Sequence, residues 1–300
     1  MESTAFWPPS RKESCTRAPT ERPLVVIRGA GDLATGAALS FHAAGFAVVM
    51  TELAQPLAIR RTVSFASAVY QGSHEVEGVR ADRCDASGWL AAVEAGRVAV
   101  LVDPAGEVLA DAAPVVILDA IMAKSNLGTS RVEGSVVIAL GPGFTAGKDA
   151  DAVVETARGH ELGRVIREGS ARADTGTPGD IAGRSSERVL RAPHDGRVTL
   201  VKSIGDLVTA GETVLRVGDT PVPAALGGCL RGAISEQVRV TRGMKIGDVD
   251  PRGRAEFVHA VSDKARAVGR AALEAALLVG RERGLLRLSS AGWIPGRAGS

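Results

Sequence analysis

A glycine-rich turn early in the chain has the residue types that hold a phosphate group. An apolar run, Leu24 to Ile27, is too short for a helix and rich in β-branched residues, which predicts a buried strand. Gly29, Gly31 and Ala34 follow in the pattern G-x-G-x-x-A, where the second glycine lets backbone approach a phosphate. Glu52, 21 residues after Gly31, stands where an acid meets a ribose hydroxyl in dinucleotide-binding folds. The spacing predicts a nucleotide or dinucleotide site, with a purely structural turn as the alternative.

One residue of this turn does not suit an anion. Asp32 places a negative charge beside the expected phosphate, and Arg28 is expected to offset that charge. Asp32 is kept among the candidate cofactor-binding residues, and a helix is expected from Leu33 to Ala44.

Other residues that bind phosphate or carry protons follow later in the chain. They are Arg60, Arg61, Lys124, Asn126, Gly141, Gly143 and His160. Of the two adjacent arginines at most one can face the nucleotide site, and a solvated helix face is the alternative for each. The lysine could neutralise a phosphate or pair with Asp119, and the Gly-Pro-Gly turn could be a second anion nest or a rigid loop. The histidine is a candidate proton carrier without a histidine or cysteine partner at metal-ligand spacing.

The elements expected around these residues form an open α/β sheet. Short apolar runs predict further buried strands at Phe46–Thr51, Val98–Val102, Val115–Leu118 and Ser135–Leu140. An acid follows each of the first three runs, which would set three acids at the carboxyl edge where open α/β sheets bind ligands. Apolar residues from Leu57 to Val69 recur at about helical spacing.

Composition and pattern divide the chain into six segments. We expect a disordered tail at 1–22, a Rossmann-like α/β domain at 23–167, a linker or loop at 168–187, a pseudo-repeat β module at 188–252, a C-terminal helix at 253–282 that packs back on the α/β domain, and a tail at 283–300. Ser262 is the expected cap of that helix.

The β module nearly repeats itself after 32 residues, which indicates two pseudo-symmetric halves. Its sequences Ala192–Gly196 and Gly205–Gly211 resemble A-P-x-x-G and G-D-x-V-x-x-G of lipoyl and biotinyl carrier modules. Those carriers present a lysine between their halves, whereas residues 218–225 contain none. A structural or docking role is therefore expected. The predicted fold class is α/β, a Rossmann-like mostly parallel sheet followed by a small lipoyl/biotinyl-like (barrel-sandwich) module.

Composition excludes several classes of function. The formal net charge of +2 and the absence of basic runs argue against nucleic acid, and no apolar run approaches the roughly 18 residues of a membrane helix. The three cysteines are scattered, which argues against a disulfide framework or a zinc or iron–sulfur site. A cytoplasmic protein is expected, with neither membrane nor nucleic acid as a partner, and a homo-oligomer stays open.

Several long motifs together resemble one family, the accessory proteins of selenium-dependent molybdenum hydroxylase systems, known as the YqeB family. The motifs are IRGAGDLATG (27–36), TELAQPLAIRRTVSF (51–65), DAIMAKSNLGT (119–129), ALGPGFTAG (139–147), ETARGHELGRVI (155–166), KIGDVDPR (245–252) and SDKARAVG (262–269). That family is distantly similar to xanthine dehydrogenase accessory proteins. The resemblance implies help in maturing a molybdenum hydroxylase, with the hydroxylase apoenzyme and a small anionic cofactor as partners.

The sequence leaves three functions open. The leading hypothesis is a factor that holds molybdenum cofactor, or a (di)nucleotide needed to prepare it, at the glycine-rich sheet edge. The second is an NAD(P)-dependent oxidoreductase, in which His160 or Lys124 would carry the proton. The third is a non-catalytic docking scaffold, in which both glycine loops are structural.

Overall fold

The structure, a computed structural model, describes residues 20–107, 112–176, 181–290 and 292–296. Most of the expected disordered tail at 1–22 lies outside these ranges, and so do residues 297–300. Within the described ranges, no helix combines the length and the apolar character needed to cross a bilayer.

The first part of the chain supplies strands and helices in alternation. The strands are β1 (Leu24–Arg28), β2 (Ala47–Glu52), β3 (Ser73–Val76), β4 (Val79–Cys84), β5 (Val98–Val102), β6 (Val116–Asp119), β7 (Val136–Leu140), β8 (Thr145–Ala146), β9 (Ala152–Val154), β10 (Val165–Ile166) and β11 (Gly169–Ser170). The helices are α1 (Asp32–Ala43), α2 (Ser67–Gln71), α3 (Trp89–Glu94) and, near the end of the chain, α4 (Asp263–Glu282).

A nine-stranded sheet in the order β10-β9-β7-β6-β1-β2-β5-β4-β3 forms the centre of this part. Its strands are parallel except for the antiparallel edge strands β10 and β3. The expected α/β class with a mostly parallel sheet is confirmed. The inner strands read as near-continuous apolar runs because both faces of a parallel sheet are covered.

Residues of β1 alternate between the two covered faces, as the pleat of a strand requires. Val25 and Ile27 face the core that α1 and α4 cover, whereas Leu24 and Val26 face the core that contains Trp89 of α3. The sheet is therefore the middle of three layers, and its carboxyl edge lies between two helical layers.

Helix α4 packs against α1, the most extensive contact between any two described elements. Ser262 caps it as expected, since its hydroxyl accepts a hydrogen bond from the Ala265 N–H at 3.1 Å. The buried face of α4 consists mostly of alanine and glycine, so the two helices approach closely. Because α4 follows the β module in sequence, the α/β domain is built from two separate stretches of chain.

The β module consists of two four-stranded sheets around one apolar core. Its strands are β12 (Val189–Arg191), β13 (Gly196–Leu200), β14 (Leu207–Val208), β15 (Thr213–Val217), β16 (Thr220–Pro223), β17 (Gly228–Ala233), β18 (Arg239–Val240) and β19 (Lys245–Asp250). The sheets have the orders β12-β19-β17-β14 and β16-β15-β13-β18. Each strand of the first half thus has its counterpart, 32 residues later, at the equivalent place in the other sheet. The internal repeat is therefore present in the structure, and the operation that relates its two halves maps one sheet onto the other.

The structure corrects the helix expected from Leu57 to Val69. Only a 3-10 turn, Arg61–Val63, and the short α2 form there, and Leu57 is exposed. Tertiary contacts override the local helical pattern, because the side chains of Arg60 and Thr62 donate hydrogen bonds to backbone carbonyl groups at 257–260.

Two segments that were expected to be irregular form regular structure in part, through contacts with the α/β domain. In the linker at 168–187, β11 pairs with β8 and Ala171 is buried, while residues 177–180 lie outside the described ranges. In the tail at 283–300, β20 (Leu286–Ser289) and β21 (Gly292–Pro295) form a hairpin. Leu286 fills the space left by Gly280 of α4, which explains why this stretch packs.

Candidate functional site

The strand order reverses beside β1, which is the place where open α/β sheets form a ligand crevice. The chain leaves β1 through α1 to reach β2 on one side, and β6 pairs with β1 on the other. The loop after β1 and the loop after β6 therefore flank a topological switch point at the carboxyl edge.

The three small residues of the first loop serve different purposes. Gly29 has φ +95°, and a Cβ there would lie 3.1 Å from the Ala120 carbonyl oxygen, so packing requires this glycine. Ala34 belongs to the first turn of α1, where it is fully buried and keeps the helix close to the sheet. Gly31 has an ordinary φ of −66°, and a Cβ there would meet no atom within 4 Å. Neither backbone conformation nor neighbouring atoms account for a glycine at this position.

Gly31 is the N-cap of α1 and supplies no capping side chain. A serine, threonine, aspartate or asparagine at this position would stabilise the helix by roughly a few tenths of a kcal/mol. The glycine leaves the first-turn amides without a side-chain partner at the positive end of the helix dipole, which is the part of a helix that attracts anions.

Glu52, the last residue of β2, holds the loop in place. Its Oε1 accepts a hydrogen bond from the Ala30 N–H at 3.2 Å, and its Oε2 accepts one from the Leu53 N–H at 2.6 Å. Burial raises the pKa of Glu52, and these two hydrogen bonds partly oppose the rise. Each carboxylate oxygen keeps a further acceptor position, so a hydroxyl donor such as a ribose can be added.

Asp32 lies in the first turn of α1 between two cations from distant parts of the chain. Its Oδ2 is 3.7 Å from Nη1 of Arg60. It also faces Lys264, whose pKa is lowered by burial and raised in part by Asp32. Arg28 was expected to offset the charge of Asp32. Arg28 instead pairs with the buried Asp119 at 3.3 Å, beneath the crevice.

Helix α4 brings a second N-terminus to the same edge. A Cβ on Gly36 of α1 would lie 2.4 Å from the Ala265 carbonyl oxygen, so the first turn of α4 contacts the second turn of α1. At the other end, Arg283 donates to the Ser135 carbonyl, just before the amino end of β7. The two helices therefore run parallel, and both positive ends meet at the carboxyl edge.

The first turn of α4 carries its own ion pair. Nη1 of Arg158 donates to Oδ2 of Asp263 at 2.7 Å, and this bond lowers the pKa of Asp263 to about 2. Arg158 follows β9, so it too belongs to the carboxyl edge. The acids Asp32 and Asp263 each offset one helix dipole, and the cations Arg60, Lys264 and Arg158 lie around them.

The second glycine loop is explained by packing. Gly141 has φ +75°, and a Cβ there would lie 2.6 Å from Oγ1 of Thr156. Gly143 has φ +101°, and a Cβ there would lie 2.7 Å from the Cα of Ser125. This loop gives no independent support for a second anion nest.

The remaining expected site residues have other partners or lie apart. Lys124 pairs with Asp174 at 2.8 Å, and not with Asp119. The Asn126 side chain closes a local turn with the backbone of Thr129, and Nε of Arg61 donates to the Ala233 carbonyl at 2.7 Å. His160 is exposed on the loop after β9. The structure thus groups five expected residues, Gly29, Gly31, Asp32, Glu52 and Arg60.

The sequence patterns did not identify Lys264 and Arg231 as site residues. A lysine in the first turn of a helix opposes the helix dipole, and this mismatch is the signal that could have identified Lys264. Arg231 lies in a strand of the β module, and nothing in its local sequence indicates proximity to β1. Within the described ranges, no group of three or more His, Cys, Asp or Glu side chains is placed to hold a metal ion.

A depression of about 660 Å³ lies at the carboxyl ends of β4 and β5. Its lining includes Arg83, Cys84 and Asp103. Burial raises the pKa of the Cys84 thiol, so this cysteine is not an activated nucleophile.

Comparison with known proteins finds no matching family model. The chain is 47% identical over 262 residues to "Uncharacterized protein YqeB" of Escherichia coli (strain K12), a match that covers 87% of this chain and 48% of that protein. The chain therefore spans about half the length of this curated relative. The similarity supports the expected relationship to the YqeB family.

Two solved structures are similar at low level. The product-bound ectoine utilization protein EutE (DoeB) from Ruegeria pomeroyi is 11% identical, covers 77% of this chain and 86% of its own, and has a TM-score of 0.23. Succinylglutamatedesuccinylase/aspartoacylase from Rhodobacter sphaeroides is 14% identical, covers 76% of this chain and 85% of its own, and has a TM-score of 0.25. At these TM-scores neither structure carries a functional argument.

Proposed function

We propose that this chain is an accessory factor in the maturation of a molybdenum hydroxylase of the xanthine dehydrogenase type. It binds molybdenum cofactor, or a nucleotide needed to prepare that cofactor, at the carboxyl edge between β1 and β6, and passes it to the hydroxylase apoenzyme. The pathway rests on the motif resemblance to the YqeB family. The binding site rests on the geometry of the first glycine loop.

The single observation that carries the binding proposal is Gly31. Its φ of −66° suits any residue, and the space beyond its Cα is open. A ligand whose phosphate touches the backbone explains why no side chain stands there.

The other residues of the crevice fit an anionic pterin phosphate or nucleotide. The first-turn amides of α1 would hold a phosphate, Arg60 and Lys264 would supply positive charge, and Glu52 would accept a hydroxyl hydrogen bond from a ribose. Asp32 weakens this attraction, which suits a protein that must release its cargo to a partner.

The same loop and acid also fit an NAD(P)-dependent oxidoreductase, which is therefore the second candidate. Its proton carrier is the weak point, because Lys124 pairs with Asp174 and His160 lies on an exposed loop. The lipoyl/biotinyl-like β module is proposed as a docking element. Lys202 pairs with Glu212 and Lys245 pairs with Asp248, and neither lies at the junction of the halves.

The binding test compares Gly31→Ala with Gly88→Ala. Gly88 is likewise the N-cap of a helix, α3, but it lies away from the crevice. Calorimetric titration uses NAD, cytidine and guanosine nucleotides, and the pterin cofactor. We expect the wild type and Gly88→Ala to bind one of these classes, and Gly31→Ala to bind it at least tenfold more weakly. Failure of the wild type to bind any of them would refute the binding proposal.

The pathway test uses a deletion strain. Loss of the protein should leave the hydroxylase polypeptide present but inactive and poor in molybdenum, and the Gly31→Ala gene should not restore activity. Normal hydroxylase activity in the strain, without a second copy of the gene, would contradict the maturation role. Normal activity together with NAD binding in vitro would favour the oxidoreductase.

A further inference from the structure

Two arginines are buried at the junction between the α/β domain and the β module. Arg60 follows β2, and its side chain is only 7% exposed. Arg231 belongs to β17, and its side chain is only 8% exposed. Buried guanidinium groups normally have all their N–H groups engaged by acceptors.

Neither guanidinium is fully engaged. Nη2 of Arg60 donates to the carbonyls of Phe257 and Ala260 at 3.1 and 3.0 Å, but its Nε and Nη1 make no hydrogen bond to any described residue. Nε of Arg231 likewise makes no hydrogen bond to any described residue, and the nearest acid, Asp250, is 3.9 Å away. That acid has a closer partner, Arg252, at 2.6 Å.

The two positive charges also repel each other. Burial lowers the pKa of Arg60 to about 10, and the charge of Arg231 is the second cause. Like charges held together out of water destabilise a fold unless a counterion joins them. Three acids face Arg60, and each is shared with another cation: Asp32 with Lys264, Asp248 with Arg188 and Asp250 with Arg252.

A β-bulge places Arg231 at the junction. The pairing of β17 with β19 shifts register between Leu230 and Gly232, which makes Arg231 an extra residue in its strand. Bulges of this kind redirect a side chain and are frequent beside functional sites. Immediately after it, a Cβ on Gly232 would lie 2.6 Å from the Ile59 carbonyl oxygen, so the bulged strand contacts the segment that carries Arg60.

We propose that Arg60 and Arg231 form a second anion subsite that takes a phosphoryl group. The inference rests on the proposed function for the anionic character of the ligand, and it adds a second charged group to that ligand. Nη1 of Arg60 points to Asp32 at the N-terminus of α1, so the two subsites are contiguous. The ligand class is a polyphosphorylated anion such as a dinucleotide, and the β module completes the site by contributing Arg231.

The test compares Arg231→Met with Arg239→Met. Methionine keeps the apolar length of the side chain and removes the charge. Arg239 is an exposed arginine of β18 in the same module, so its exchange is the matched control. The probe is inorganic pyrophosphate at low ionic strength. Its affinity for the full chain is measured by calorimetric titration, and the melting temperature of each variant by thermal unfolding.

We expect Arg231→Met to lose at least tenfold in pyrophosphate affinity while its melting temperature without ligand stays the same or rises. Arg239→Met should keep wild-type affinity. A lower melting temperature with unchanged affinity would show a structural role for Arg231 and overturn the proposal. Arg60→Lys, which keeps the charge but loses the guanidinium fork, should weaken pyrophosphate binding less than Arg231→Met does.

Failure of the two proposals can be told apart. Pyrophosphate binding that depends on Arg231, without binding of any nucleotide or pterin, would leave the subsite intact and contradict the proposed ligand. Nucleotide or pterin binding that depends on Gly31 but is unchanged in Arg231→Met would leave the proposed function intact and overturn the subsite. Absence of pyrophosphate binding by the wild type would also overturn the subsite.

Discussion

The contact between α1 and α4 makes Gly36→Ala a sharp test of the architecture. A Cβ on Gly36 would lie 2.4 Å from the Ala265 carbonyl oxygen, about 1 Å inside ordinary contact distance. The obstacle is backbone of another helix, so it cannot rotate away. Overpacking of this kind costs about 1–3 kcal/mol, and the better helix propensity of alanine returns up to about 1 kcal/mol. We expect a net loss of roughly 2 kcal/mol in the free energy of unfolding.

Urea unfolding followed by tryptophan fluorescence measures this loss, because Trp89 and Trp293 both pack on cores of the α/β domain. The midpoint should fall at an unchanged slope. Gly31→Ala is the matched control, since its methyl group enters open space, and its stability should fall by less than about 1 kcal/mol, the cost of replacing a glycine N-cap by alanine. Equal stability of the two variants would show that α1 and α4 do not touch at Gly36, and would remove the argument for two helix N-termini at one edge.

Three further predictions concern titrating groups. Burial raises the pKa of Glu52 above its ordinary 4.5, so the stability of the wild type relative to Glu52→Gln should fall as the pH rises from about 4 to 7 in urea titrations. The pH dependence has the opposite sign for Asp263, because Arg158 lowers the pKa of this acid from 3.8 to about 2. The wild type should be more stable than Asp263→Asn at pH 7, and this difference should vanish between about pH 4 and 2. It should stay below about 1 kcal/mol, because the carboxyl is largely exposed. The buried Cys229 thiol, whose pKa is raised by burial, should resist iodoacetamide at about pH 8 until the chain is unfolded, as intact mass would show, and rapid labelling of the folded protein would contradict its placement.

Local sequence was sufficient for the features that depend on local chemistry. The β1 strand, the glycine turn, α1, β2 and Glu52 follow in the expected order because an apolar run, a turn residue and a cap each act within a few positions. The repeat in the β module was equally readable, since both halves must form the same strands.

Long-range contacts decided the rest. The segment from Leu57 to Val69 has helical spacing, but Arg60 bonds to carbonyls nearly 200 residues away and the helix does not form. Arg28 was matched with its neighbour in sequence, Asp32, whereas the sheet places it beside Asp119 on an adjacent strand. Lys264 joins the site only because α4 returns to α1. No local pattern contains these pairings.

The return of α4 makes the β module an insertion within a discontinuous domain. Both ends of the module are attached to the same α/β domain, through β11 and its following residues on one side and through the segment leading to α4 on the other. A domain held by two tethers can hinge, but it cannot travel as a carrier on a single flexible arm does. Under the proposed function, delivery of cargo would therefore proceed by opening the contact between residues 59–61 and the module, with the hydroxylase coming to the crevice.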